Sequence, residues 1–162
     1  MKFTRLRKTT SGILAAIAAT LLFETSIARA AEKGPLRINF EKCFVGDPDD
    51  ELFGGYYAGT ASGDFGVGTV IFTFASLAAG ATTPAGEVII WQFSGIYTIT
   101  TPQGVISAFA SGIDNLRSGS GHDVLNGVVI AGAHVGAQVQ VRAHDTKGGA
   151  CSEGTITITP SK

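Results

Sequence analysis

The chain is predicted to be all-β, a single antiparallel up-and-down barrel of about eight strands, with a two-sheet sandwich as the alternative. Short runs rich in Val, Ile, Thr, Phe and Tyr alternate apolar with polar residues, the signature of half-buried strands. Glycine, at 22 of 162 positions, punctuates those runs and disfavours helix, and no segment shows the periodicity of an amphipathic helix. The links between runs are short, which joins consecutive strands as antiparallel hairpins.

The first strand, near 36–45, places Leu36, Ile38, Phe40 and Phe44 on one face and Arg37, Asn39, Glu41 and Cys43 on the other. Strands near 53–62 and 66–76 follow. The Ala/Gly/Thr patch from Ser76 to Pro84 reads as a loop or one helical turn. Strands near 86–100 and 104–114 form the clearest hairpin, turning on Thr101-Pro102-Gln103-Gly104, where Pro presets φ and Gly permits a positive one. Pairing about that turn sets Phe93, Gly95, Tyr97 and Ile99 against Gly112, Ala110, Ala108 and Ile106, large opposite small.

The next two strands, near 122–131 and 134–144, admit two registers. Centred on Ala133, the hairpin sets His122 opposite His144 and buries Leu125, Val129 and Ala131 against Val135, Ala137, Val139 and Val141. Centred half a step earlier, it sets Asp123 opposite Arg142 and turns Val124, Val128 and Ile130 inward. In the last strand, near 152–159, Ile156 and Ile158 face one way and Thr155, Thr157 and Thr159 the other, with Cys151 continuing the Thr face.

Cys43 and Cys151, the only cysteines, therefore both sit on polar faces near the two ends of the domain. Eight up-and-down strands make the first and last antiparallel neighbours, bringing these residues together as a disulfide across the seam of a closed barrel.

Residues 1–30 read as an export signal. Lys2, Arg5, Arg7 and Lys8 precede the apolar run Gly12 to Phe23, and Ala28-Arg29-Ala30 supplies the small-x-small cleavage pattern. Residues 31–162 are then a single secreted or periplasmic domain with seven basic and twelve acidic residues. That acidic balance argues against nucleic acid and polybasic lipid attachment. No later apolar run reaches the ~18 residues of a membrane-spanning helix.

The run Ile96-Tyr97-Thr98-Ile99-Thr100-Thr101-Pro102-Gln103-Gly104, the glycine-punctuated segment Gly119 to Gly136 and the ending Gly154-Thr155-Ile156-Thr157-Ile158 resemble the small exported barrels of the allene oxide cyclase and dirigent-like group. The resemblance implies a barrel over most of residues 36–159 and a place among cyclases, proteins that steer coupling of reactive intermediates, and barrels of unassigned role. No catalytic residue of that group aligns with this chain.

Candidate chemistry is sparse. Ser118, Ser120, His122 and Asp123 hold the residue types of a hydrolase triad, but triads assemble from distant segments and no G-x-S-x-G elbow is present. His122 and His144 are the candidate metal ligands, two where zinc needs more, so no metal and no cofactor is expected. His134 falls at a turn tip. The acidic run Asp47, Asp49, Asp50 and Glu51 lacks the spacing of a calcium loop and reads as a solvated turn.

The aromatic set marks the expected site. Phe72 and Phe74 share one strand face, as do Trp91, Phe93 and Tyr97, which would line an apolar pocket with an indole and a phenol as polar handles. The leading expectation is binding of a small apolar molecule inside the barrel. The alternatives are a cofactor-free cyclase or isomerase using Tyr97 or Glu87, and an envelope module acting through an exposed apolar outer face.

Overall fold

Period-two alternation closes into a barrel in the computed structural model, which describes residues 34–46, 55–118 and 120–161. The strands are β1 Leu36–Val45, β2 Tyr56–Gly63, β3 Gly66–Thr82, β4 Val88–Thr101, β5 Gly104–Asn115, β6 His122–Gly132, β7 Gln138–Thr146 and β8 Cys151–Thr159. Each pairs antiparallel with the next, and β8 returns to β1, so the architecture is the closed barrel and not the sandwich. The export segment and the acidic run Asp47 to Glu51 lie outside the described residues.

The central hairpin has the expected register, with Phe93↔Gly112, Gly95↔Ala110, Tyr97↔Ala108 and Ile99↔Ile106. Gly104 takes φ +131, the conformation its turn requires. At Gly95 a side chain would run into the Phe72 ring and the Thr73 carbonyl, so glycine is what lets that ring lie across the barrel interior. On the outer surface Ile96 and Phe109 face each other, and Phe109 is 37% exposed.

The β6–β7 hairpin adopts the register that pairs His122 with His144 and Leu125 with Val141; Arg142 faces Val124 instead of Asp123. Two residues expected inside are not. Val135 is 61% exposed and Ala131 is exposed, because β7 begins at Gln138, after a turn in which His134 (φ 63) and Gly136 (φ 85) are left-handed. The Ala/Gly/Thr patch is also corrected: it is strand, with β3 running to Thr82 and pairing through Ser76↔Ser94, Ala79↔Trp91 and Thr82↔Val88. Register shifts after Phe74 and Ala79 break strict alternation there, which hides the strand from a pattern reading.

The two ends of the barrel differ. At the end of the tight turns the interior is filled by Ile38, Val70, Ile99, Ile106, Ile156 and Ile158, none more than 1% exposed, with Phe65 beneath them in the β2–β3 turn. The other end carries the longer links, among them Thr83–Glu87 and Leu116–Gly121. There the interior opens.

Cys43 and Cys151 stand directly opposite each other in the β1–β8 ladder and are bonded. The disulfide suggests an oxidising compartment.

Candidate functional site

A cavity of about 270 Å³ occupies the open end. Its lining divides by strand. The neighbouring strands β2, β3 and β4 contribute Tyr57, Phe72, Phe74, Leu77, Trp91 and Phe93, an apolar arc of five aromatic rings and one leucine. The rest of the circle, β5 through β8 and back to β1, contributes Asp114, Asp123, Asp145, Ser152 and Lys42, with Leu116 and Gly149 from the links after β5 and β7. One wall is therefore apolar and the other ionisable.

The aromatic arc is packed ring to ring. Phe72 meets Phe74 edge-on at 4.9 Å and lies against Tyr97 at 4.6 Å, while Phe93 meets Phe74 at 5.8 Å. Edge-to-face contacts of this kind hold rings in fixed orientation. Tyr97 is packed behind this arc against Phe72, fully buried, and among the described residues its hydroxyl has no hydrogen-bond partner. Burial, joined by the nearby Asp123 charge, pushes its phenol well above the ordinary value.

Lys42 is the unexpected member. It occupies the inward position of β1 between Phe40 and Phe44 and is 4% exposed. Its ladder neighbours are Gly59 and Ser152, whose small size leaves room for the aliphatic stem. The Nζ lies over Tyr57 at 4.3 Å, with the Phe72, Phe40 and Tyr97 rings at 5.2, 5.7 and 5.9 Å. Among the described residues no carboxylate forms an ion pair with it. Burial lowers the pKa of this amine, against the opposing pull of Asp123, Asp145 and Asp114.

The carboxylates are perturbed in the opposite sense. Asp123, 8% exposed, is pushed up to about 7 by burial, with Asp114 and Asp145 adding to the rise and Lys42 opposing it. Asp114 is raised by burial and by Asp145, while the His122 backbone N–H that it accepts holds it back. Gly121 sits between these two side chains: a side chain there would meet both Asp145 and Asp114, so its absence allows the carboxyl groups to crowd together. Gly121 also accepts the Asp145 N–H through its carbonyl, at 2.9 Å. Asp123, titrating at about 7, is the carboxyl suited to proton exchange near neutral pH.

Of the five residues expected to line a pocket, Phe72, Phe74, Trp91 and Phe93 do so; Tyr97 does not, because it is fully buried behind Phe72. Glu87 is displaced from any catalytic position. It is exposed in the β3–β4 link, where its N–H donates to Thr83 Oγ1 in a local turn, because the strand it was thought to begin starts only at Val88. Ser118 donates to the Ser120 carbonyl in the β5–β6 link, and both are exposed, apart from any nucleophilic arrangement.

His122 and His144 meet on the outer face with ring centroids 6.5 Å apart, and His144 Nε2 turns to Glu153 Oε1 at 3.0 Å. Among the described residues no cluster of three or more His, Cys, Asp or Glu has the geometry to hold a metal ion. The His144–Glu153 pair is solvated on both sides, so His144→Ala is expected to change stability by less than about 1 kcal/mol in urea unfolding. A larger loss would assign that pair a structural role.

Lys42, Asp114, Asp145 and Ser152 are absent from the sequence-predicted site, and Asp123 enters it only as a triad member or ion-pair partner, although the inward parity of all five is present in the sequence. Lys42 follows Ile38 and Phe40; Asp114 extends the Ala108, Ala110, Gly112 row; Asp123 shares the Leu125 face; Asp145 follows Val139 and Val141; and Ser152 precedes Ile156 by an even interval. Each is the inward residue at the open end of its strand. Comparison with protein-family models, curated proteins and solved structures finds no match for this chain.

Proposed function

We propose that this protein is a secreted or periplasmic binding cup for a small molecule with a flat apolar body and one polar end group. The observation that carries this reading is the division of the cavity into an aromatic arc and an ionisable arc. A volume of about 270 Å³ exceeds the ~150 Å³ that accepts benzene in an apolar cavity and lies near the lower range of small-molecule sites. The body would stack against Phe72, Phe74, Phe93 and Trp91. The polar group would reach Lys42, Asp123 and Ser152. The signal-like residues 1–30 and the disulfide support export.

Trp91 is the only tryptophan of the chain and lines the cavity, so its fluorescence reports occupancy directly. Titration with an aromatic alcohol such as cinnamyl alcohol is expected to quench Trp91 saturably, with one molecule bound per barrel in native mass spectrometry. Linear, unsaturable quenching across a panel of aryl and alkyl alcohols, with no bound species, would remove the reading.

A second reading, an acid–base isomerase or cyclase of the kind the allene oxide cyclase resemblance suggests, draws support from Asp123. A carboxyl that titrates at about 7 beside an apolar cavity has the acidity a general acid or base needs. Under that reading Asp123→Asn retains binding and loses turnover.

A further inference from the structure

The chemistry available at Lys42 goes further than binding. We propose that Lys42 captures a carbonyl compound, an aldehyde or ketone with an apolar body, as a covalent imine inside the barrel. The inference rests on the binding-cup reading and names the polar end group of the ligand.

Geometry supports it on four counts. The amine lines a cavity instead of the surface, so a bound carbonyl carbon can be brought to it. Among the described residues its neighbours are ring faces and not an ion-pairing carboxylate, which leaves the nitrogen available for bond formation. A carboxyl that keeps a proton near neutral pH, Asp123, lines the same cavity. The aromatic wall offers an unsaturated body a face to stack on.

The step balances with groups on hand. The neutral Lys42 nitrogen forms a bond to the carbonyl carbon, giving a carbinolamine after proton transfer from nitrogen to oxygen. The C–O bond then breaks, and the oxygen leaves as water on taking the Asp123 proton. What remains is a protonated imine beside an Asp123 carboxylate. Burial favours the neutral amine that begins the reaction. The cation that ends it faces the Tyr57 and Phe72 rings and the Asp114 and Asp145 carboxyl groups, an environment that stabilises positive charge. Tyr57 itself stays protonated, its pKa raised by burial and by the same acids, so it offers no competing anion.

The test is reductive trapping of the oxidised protein with cinnamaldehyde and cyanoborohydride at pH 7, followed by peptide mapping, with cinnamyl alcohol as the non-carbonyl control. Lys147, solvent-exposed and paired with Glu41 at 3.0 Å, is the reference amine in the same molecule. The expected result is a single adduct on Lys42, formed at least about tenfold faster than on Lys147, blocked by excess cinnamyl alcohol and slowed in Asp123→Asn. Lys42→Arg should lose the cavity adduct while the slow adduct on Lys147 persists. Saturable quenching by the alcohol together with trapping at Lys42 no faster than at Lys147 overturns the imine and leaves the cup standing. Absence of both quenching and selective trapping overturns both.

Discussion

Raising the pH from 4 to 8 is expected to narrow the stability advantage that wild type holds over Asp123→Asn by about 4 kcal/mol, and to reverse its sign if the two begin near parity. In the folded protein Asp123 titrates at about 7, against 3.8 for the free side chain. Between those values the native state holds a proton that the unfolded chain has lost, so stability falls with rising pH and levels off above about 7. About three pKa units correspond to about 4 kcal/mol, an upper figure for one coupled group. Asn keeps the shape and removes the titration. Asp114, raised in the same direction, adds a smaller slope common to both proteins. Lys42 acts at the other end of the scale: its lowered pKa means the native state binds fewer protons than the unfolded chain below 10.5, so stability recovers somewhat as pH rises through that alkaline window. Urea midpoints of both proteins at pH 4, 6 and 8 measure the difference. Parallel curves would place the Asp123 carboxyl in solvent.

Removing the disulfide is the second large effect. Cys43 and Cys151 are 108 residues apart in sequence, and in the chain-entropy description opening so long a loop releases about 4 to 5 kcal/mol of constraint on the unfolded chain. A double Cys→Ser variant should lose stability of that order, a large share of what a domain of this size commonly possesses. The seam is also one residue from the site: Cys43 follows Lys42 and Cys151 precedes Ser152. Reduction should therefore lower the affinity of the cavity for cinnamyl alcohol before global unfolding, read through Trp91 at increasing thiol concentration. Equal chemical stability of oxidised and reduced protein would show that the strand ladder alone closes the barrel.

How far the sequence discloses this molecule depends on which neighbour a residue needs. Phe93, Tyr97 and their small partners Gly112 and Ala108 belong to one hairpin with a two-residue turn, so local pairing sufficed. Cys43 and Cys151 followed from strand parity and closure. The β6–β7 register did not, because Leu125 has to match Gly112 on β5 and Val141 on β7 at once, and a single hairpin shows only one of those constraints. Glu87 was misplaced by two residues of strand boundary, enough to move it from wall to link. Lys42, Asp114, Asp123 and Asp145 were passed over because charge ordinarily marks the outward face: desolvating one ion is costly. Gathered at one end of a closed barrel, they partly offset one another's cost, and that grouping exists only once eight strands are in register.

The ladder position of the cystine bears on why Lys42 stays inside at all. Sliding β1 by one residue against its neighbours would exchange its faces, returning Lys42 to water while turning Glu41 inward. Leu36, Ile38 and Phe40 resist that slide, while the cost of burying its charge pulls Lys42 toward it. A covalent tie between directly opposed residues admits one alignment of β1 with β8 and rejects its neighbours. Oxidation thus acts as a proofreading step, after which the amine can no longer trade its place in the lumen for one in solvent.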